Sequence, residues 1–204
     1  MADCGCNIEA TDDAQRTTLR WVLAINAIMF ATEFTCGIFA ESTGLVADSL
    51  DMLADASVYG ISLYAVGRSV STRQLAAAGS GLFQLVLGVG VLVESGRRFF
   101  YGGEPVGVTM IAMGSIALCA NVICLALLAK HRHGDVNFRA SWIFSTNDVI
   151  ANLGVIVSGG LVLLTQSQYP DLVVGIIVAG AVVYGGVKIL TEARNAKNHS
   201  GASI

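Results

Sequence analysis

Asp48, Asp51 and Asp55 recur at spacings of three and four residues inside an apolar stretch long enough to cross a bilayer, and Asp148 interrupts a second such stretch. A charged Asp at the centre of a membrane helix costs about 2.5 to 3.5 kcal/mol even on the lenient insertion scale, so several on one face call for a compensating cation or proton. Side chains four apart leave a helix from the same face, one turn above the other, and Asp48 extends the Asp51 and Asp55 stripe. At ~1.5 Å per residue, Asp51 and Asp55 lie roughly 10 and 16 Å below the extracytoplasmic boundary, and Asp148, on an opposed helix, roughly 18 Å below it. Asn152, one turn along from Asp148, comes level with Asp51. Three carboxylates and an amide offer oxygen ligands to one divalent cation, so Asp51, Asp55, Asp148 and Asn152 are the expected metal ligands. The competing reading, in which the aspartates bond to Ser, Thr or Asn on neighbouring helices and merely lock a bundle, is disfavoured by four acids at matching depth.

The elements that must position these residues are helices. The chain is 54 % hydrophobic and 13 % charged, against about 25 % charged for a soluble domain. Apolar segments at 19–40, 44–69, 75–97, 106–129, 141–165 and 170–190 each approach or exceed the ~20 residues of a spanning helix. The fold class is therefore all-α: a polytopic six-helix membrane bundle (19–190) between an N-terminal tail (1–18) and a short C-terminal tail (191–204), with no soluble domain. Alternating ten-residue patterns of a membrane barrel are missing. Ten of the basic residues, from Arg16 and Arg20 to Arg194 and Lys197, fall on the side of the termini, and Arg97 and Arg98 opposite. Both termini are thus expected in the cytoplasm, with the protein integral to a bacterial inner membrane. Asp3, Glu9, Asp12 and Asp13 before the first apolar run are unlike a cleaved signal peptide. The five cysteines suggest no disulfide framework.

The run EFTCGIFAESTGLVADSLDMLAD, Glu33 to Asp55, and the run HRHGDVNFRASWIFSTNDVIANLGVIV, His131 to Val157, resemble the cation diffusion facilitators, six-helix metal-ion/proton antiporters. The resemblance covers nearly all of the membrane portion. It implies that Asp51 and Asp55 are paired ligands and that Asp148 is the second position of a His/Asp-x-x-x-Asp motif. Phe144 stands where that motif supplies the fourth ligand, so Asn147, Asn152, Ser145 or a water must complete the shell, with Asn152 preferred on depth and face. A cytoplasmic ferredoxin-like domain found in many members is not expected here. A homodimer would then form through membrane helices, for which Gly81, Gly88, Gly175, Gly180 and Gly185 permit close approach; packing within one protomer explains them equally well.

Accessory candidates surround this core. Asp48 extends the acidic stripe, and Glu33 is placed for a proton relay or an exit ligand. Cys4 and Cys6 could capture a soft ion in the acidic tail, and His131 and His133 could hold metal transiently in the loop before the fifth helix; unremarkable tail thiols and a solvated loop are the plain alternatives. Asn26, Gln84, Glu94 and Asn121 read as interhelical hydrogen-bonding groups.

Metal and protons compete for the same carboxylate oxygens. The expected function is export of zinc, with cadmium or cobalt as co-substrates, in exchange for protons. Manganese or iron(II) is the alternative that an all-oxygen site favours. A channel-like or structural role would need repeated polar rings, and the polar groups form one cluster. No cofactor is expected, and enzyme motifs such as His-Glu-x-x-His or Gly-x-Ser-x-Gly are missing. An acidic net charge of −3 argues against nucleic-acid partners; the expected partners are a divalent metal ion, protons and the lipid bilayer.

Overall fold

The structure, a computed structural model, describes residues 13–65, 70–129 and 136–201, with side chains described for 16–61, 63–64, 75–129, 147–191 and 193–194. Cys4, Cys6, His131 and His133 lie outside the described residues, and so do the side chains of Phe144 and Ser145.

Among the described residues six helices follow in order: α1 (Asp13–Phe39), α2 (Thr43–Ala65), α3 (Val70–Tyr101), α4 (Gly107–Ala129), α5 (Val136–Thr165) and α6 (Tyr169–Gly201). Among the described residues there is no strand. Several helices outrun the apolar segments: α3 begins before residue 75, α5 before 141, and α6 continues past 190. Hydropathy registers only the part of a helix that meets lipid, whereas backbone hydrogen bonding carries the helix beyond it.

The molecule is inside-out compared with a water-soluble protein. Leu82, Phe83, Val93 and Ile177 are exposed while Glu33, Asp48, Asp148 and Asn152 are buried, the arrangement that lipid rather than water imposes. Among the described residues, five helices are long and apolar enough to cross a membrane, with mean hydropathies from 1.7 to 2.3. The sixth expected span, α2, has the length, 23 residues, but its three aspartates lower its apolarity. Its position makes that tolerable, because α2 packs against all five other helices and only Tyr64 of its described side chains is exposed. α2 is the axis of the bundle and the others are its wall.

The connections 40–42, 102–106 and 166–168 meet at one end. Val106 N–H donates to the Ala40 carbonyl at 2.9 Å, Gln168 Nε2 donates to the Arg98 carbonyl at 3.1 Å, and Arg98 donates to the Glu41 carbonyl. That three alternate connections share an end is what six successive crossings require. Glu94 pairs with Arg97 at 2.6 Å and Arg98 at 2.9 Å on the same helix. The interhelical role expected of Glu94 is thus replaced by i,i+3 and i,i+4 ion pairs, since two guanidinium groups lie one turn away.

Glycines seat α3 against α6. A Cβ on Gly81 would meet the Gly186 carbonyl oxygen at 3.1 Å, and one on Gly88 would meet Val183 Cγ2 at 2.8 Å. Gly175 is pressed against Thr43, and Gly185 faces Gln84. Four of the five glycines considered for a dimer face are therefore engaged within the protomer, and of that set Gly180 has open space around it.

Candidate metal centre

The acidic helix is anchored first at its head. Asp171, in the first turn of α6, accepts hydrogen bonds from Ser42 Oγ at 2.6 Å, Thr43 N–H at 2.7 Å and Gly44 N–H at 3.0 Å. Ser42 Oγ in turn accepts from Leu45 N–H at 3.1 Å. Together these satisfy N–H groups that an α-helix leaves unpaired at its start. A Cβ on Gly44 would lie 2.9 Å from Asp171 Oδ1, so glycine there admits the carboxylate.

From this anchor α2 carries its aspartates inward. Asp48 is 0 % exposed, Asp55 9 %, and Asp148 on α5 4 %; Asp51 retains partial exposure. The carboxyls of Asp51 and Asp148 lie close enough to share a hydrogen bond, and so do those of Asp55 and Asp148. Asp55 Oδ2 also accepts from Tyr59 Oη at 3.3 Å. Two carboxylates form such a bond only when one holds a proton. The α2 and α5 acids predicted from spacing are thus brought together.

Asn152 is fully buried. Its Nδ2 donates to the Asp148 backbone carbonyl at 2.6 Å, and its Oδ1 has no hydrogen-bond partner among the described residues. That orientation spends the donor on the helix and leaves the ligand-type atom free. Asn147 is exposed.

Glu33 and Asp48 form a second carboxyl pair between α1 and α2. Both are 0 % exposed, and their four oxygens find no donor among the described residues; the two groups face one another closely enough for a shared proton to bridge them. Asp48 also feels the charge of Asp51. Acids of α1, α2 and α5 consequently form one chain of neighbours from Glu33 to Asp148.

These contacts are pairwise. Among the described residues, no three His, Cys, Asp or Glu side chains converge closely enough to hold a metal ion. Neither Asp171, which holds the head of α2, nor Tyr59, which donates to Asp55, was named from the sequence. Asp171 joins segments 127 to 129 residues apart, which no local pattern displays. Tyr59 stands one turn after Asp55 and was legible on that ground alone.

An all-helical bundle in which apolar helices enclose an acid-bearing one defines an integral membrane protein with a polar interior. Residues 19–196 match the cation efflux transmembrane domain. The chain belongs to the cation efflux family, whose members are transporters and not enzymes. It is 24 % identical over 195 residues to the zinc transporter ZitB of Yersinia pseudotuberculosis serotype I (strain IP32953), covering 89 % of this chain and 62 % of that protein; the zinc transporter ZitB of Yersinia pestis matches to the same extent. A cadmium, cobalt and zinc/H(+)-K(+) antiporter of Bacillus velezensis is 22 % identical over 189 residues, covering 84 % and 60 %. The chain spans about three fifths of the length of these curated relatives.

Proposed function

We propose that the chain exports a divalent transition-metal cation, zinc first with cadmium or cobalt beside it, in exchange for protons at Asp51, Asp55, Asp148 and Asn152. The membrane is a bacterial inner membrane, the flanking segments 1–18 and 191–204 are cytoplasmic, and ion and protons are the partners. The observation that carries this reading is the carboxyl contact of Asp148 with both Asp51 and Asp55 across the α2 and α5 interface.

Without a cation, such contacts require protons. A divalent cation supplies the same bridging through two positive charges and cannot share the oxygens with the protons it displaces. Asn152 Oδ1, buried and unpartnered, offers a further oxygen. Asp51 is the least buried of the three aspartates, and rocking of the wall helices about α2 opens the site to one side and then the other. The names of the relatives, a zinc transporter and a cadmium, cobalt and zinc antiporter, support the choice of ion. Oxygen-only ligation supports manganese or iron(II) as the second reading.

Purified protein in vesicles containing a pH-sensitive dye tests the proposal. Zinc uptake should release lumenal protons and saturate. Uptake that leaves lumenal pH untouched would defeat the exchange.

A further inference from the structure

Four of the chain's five methionines meet in one buried cluster: Met29 of α1, Met52 of α2, and Met110 and Met113 of α4, with Val155 and Val162 of α5 among them. Methionine in a core is ordinarily a filler of irregular gaps. The interfaces around this cluster, however, are built differently. Helix α1 packs most extensively on α2, and α4 on α5, and inside each pair glycine brings the helices close. A Cβ on Gly37 would lie 3.0 Å from the Val46 backbone nitrogen, one on Gly114 would lie 3.0 Å from Ile156 Cγ1, and one on Gly159 would lie 2.9 Å from Met110 Cβ. Across the seam between the two pairs, a Cβ on Gly44 would meet Val155 Cγ2 at 3.6 Å, an ordinary contact. Each pair is thus locked by close backbone approach, while flexible thioethers fill the seam between them. Asp51 and Asp55 ride on one pair and Asp148 on the other, so the seam also runs through the proposed ion site.

We propose that Met29, Met52, Met110 and Met113 form a compliant seam on which the α4–α5 pair shifts as one body against the α1–α2 pair, bringing the cation's ligands together and parting them. The inference rests on the reading of Asp51, Asp55 and Asp148 as that site, and it names the interface that moves. A thioether side chain is unbranched and turns about three bonds, so it refills the same space in more than one rotamer as neighbouring helices slide. Branched leucine fills a similar volume with fewer, better-defined rotamers. Close-packed interfaces move between discrete arrangements rather than deform smoothly, and a glycine pressed on a neighbouring helix offers few of them. Movement therefore concentrates where methionine lies. Parting the pairs draws the Asp148 carboxyl away from those of Asp51 and Asp55, with which it is in contact here, and so dismantles the site.

Zinc transport in vesicles and calorimetric zinc binding, measured on the full chain carrying Met29→Leu, Met52→Leu, Met110→Leu and Met113→Leu together, test this. Leucine keeps the volume and apolarity of the cluster. Zinc affinity should stay within about twofold of wild type while kcat for transport falls about fivefold or more, the mark of a slowed conformational step. A kcat that does not fall overturns the seam, and so does a loss of affinity that matches the loss of kcat. Asp51→Ala that binds zinc as wild type does overturns the underlying site instead. A second measurement covers a leucine chain that fails to fold: spin labels on the full chain with its five native cysteines changed to serine. Labels at Ile28→Cys and Ile123→Cys, exposed positions of α1 and α4, span the seam; labels at Ile116→Cys and Leu153→Cys, exposed positions of α4 and α5, lie within one pair. Between zinc-loaded protein and zinc-free protein at low pH, the first distance should change and the second should hold. A first distance that holds, or a second that changes as much, contradicts the proposal.

Discussion

Asp171 and Ser42, 129 residues apart, are joined by a 2.6 Å hydrogen bond in which the serine hydroxyl donates to the carboxylate. The same carboxylate accepts the N–H groups of Thr43 and Gly44, so the head of the acidic helix is held by α6. Asp171→Ala leaves these buried donors without an acceptor and should cost about 2 to 3 kcal/mol of stability. Thermal unfolding in detergent would reveal it as an early transition, with Asp171→Asn falling between. An alanine variant that melts with wild type contradicts the anchoring role.

Asp148 lies against two acids of α2, Asp51 and Asp55. Asp148→Asn and Asp51→Asn should each weaken zinc binding by about the 10- to 100-fold typical of outer-shell changes, or more, because they remove a charged ligand outright. Calorimetry checks this on protein whose helicity matches wild type. Asn152→Leu should also impair binding through loss of the free Oδ1, whereas intact transport by that variant would remove Asn152 from the ligand set.

Metal that displaces protons must bind more weakly as pH falls. The sign follows from mass action: acidification raises the proton concentration on one side of the exchange, so apparent affinity drops by about tenfold per pH unit for each proton released. Titrations across pH and across buffers of different ionisation enthalpy measure that number. Glu33→Gln should flatten the pH dependence if the Glu33 and Asp48 pair relays protons to Asp51. An unaltered slope counts against the relay.

Close helix approach predicts a contrast between glycines. A Cβ on Gly107 would lie 2.6 Å from the Gly159 carbonyl oxygen, whereas one on Gly90 meets nothing within 4 Å. Gly107→Ala should therefore destabilise by about 1 to 3 kcal/mol through forced separation of α4 and α5. Gly90→Ala should be neutral or mildly stabilising, since alanine is the better helix former. Equal melting temperatures for the two would refute the packing argument.

Much of this architecture was legible from hydropathy, because each wall helix must be apolar towards lipid. Helix ends were less so: nothing in apolarity marks how far α5 extends before residue 141 or α6 beyond 190. The Asp51, Asp55 and Asp148 neighbourhood followed from turn spacing and depth, both of which are local quantities. The Asp171 anchor did not, since an Asp in a first helical turn looks like ordinary dipole compensation until its partner is seen. Gly81 and Gly88 were ambiguous for a related reason: small residues announce close approach without saying whose backbone approaches.

Zinc-edge anomalous diffraction from zinc-loaded crystals bears most directly on the central claim. A single strong peak bounded by carboxylate oxygens of Asp51, Asp55 and Asp148 is the predicted result. A peak held by other residues, with those three carboxyls still paired to one another and empty, would contradict it.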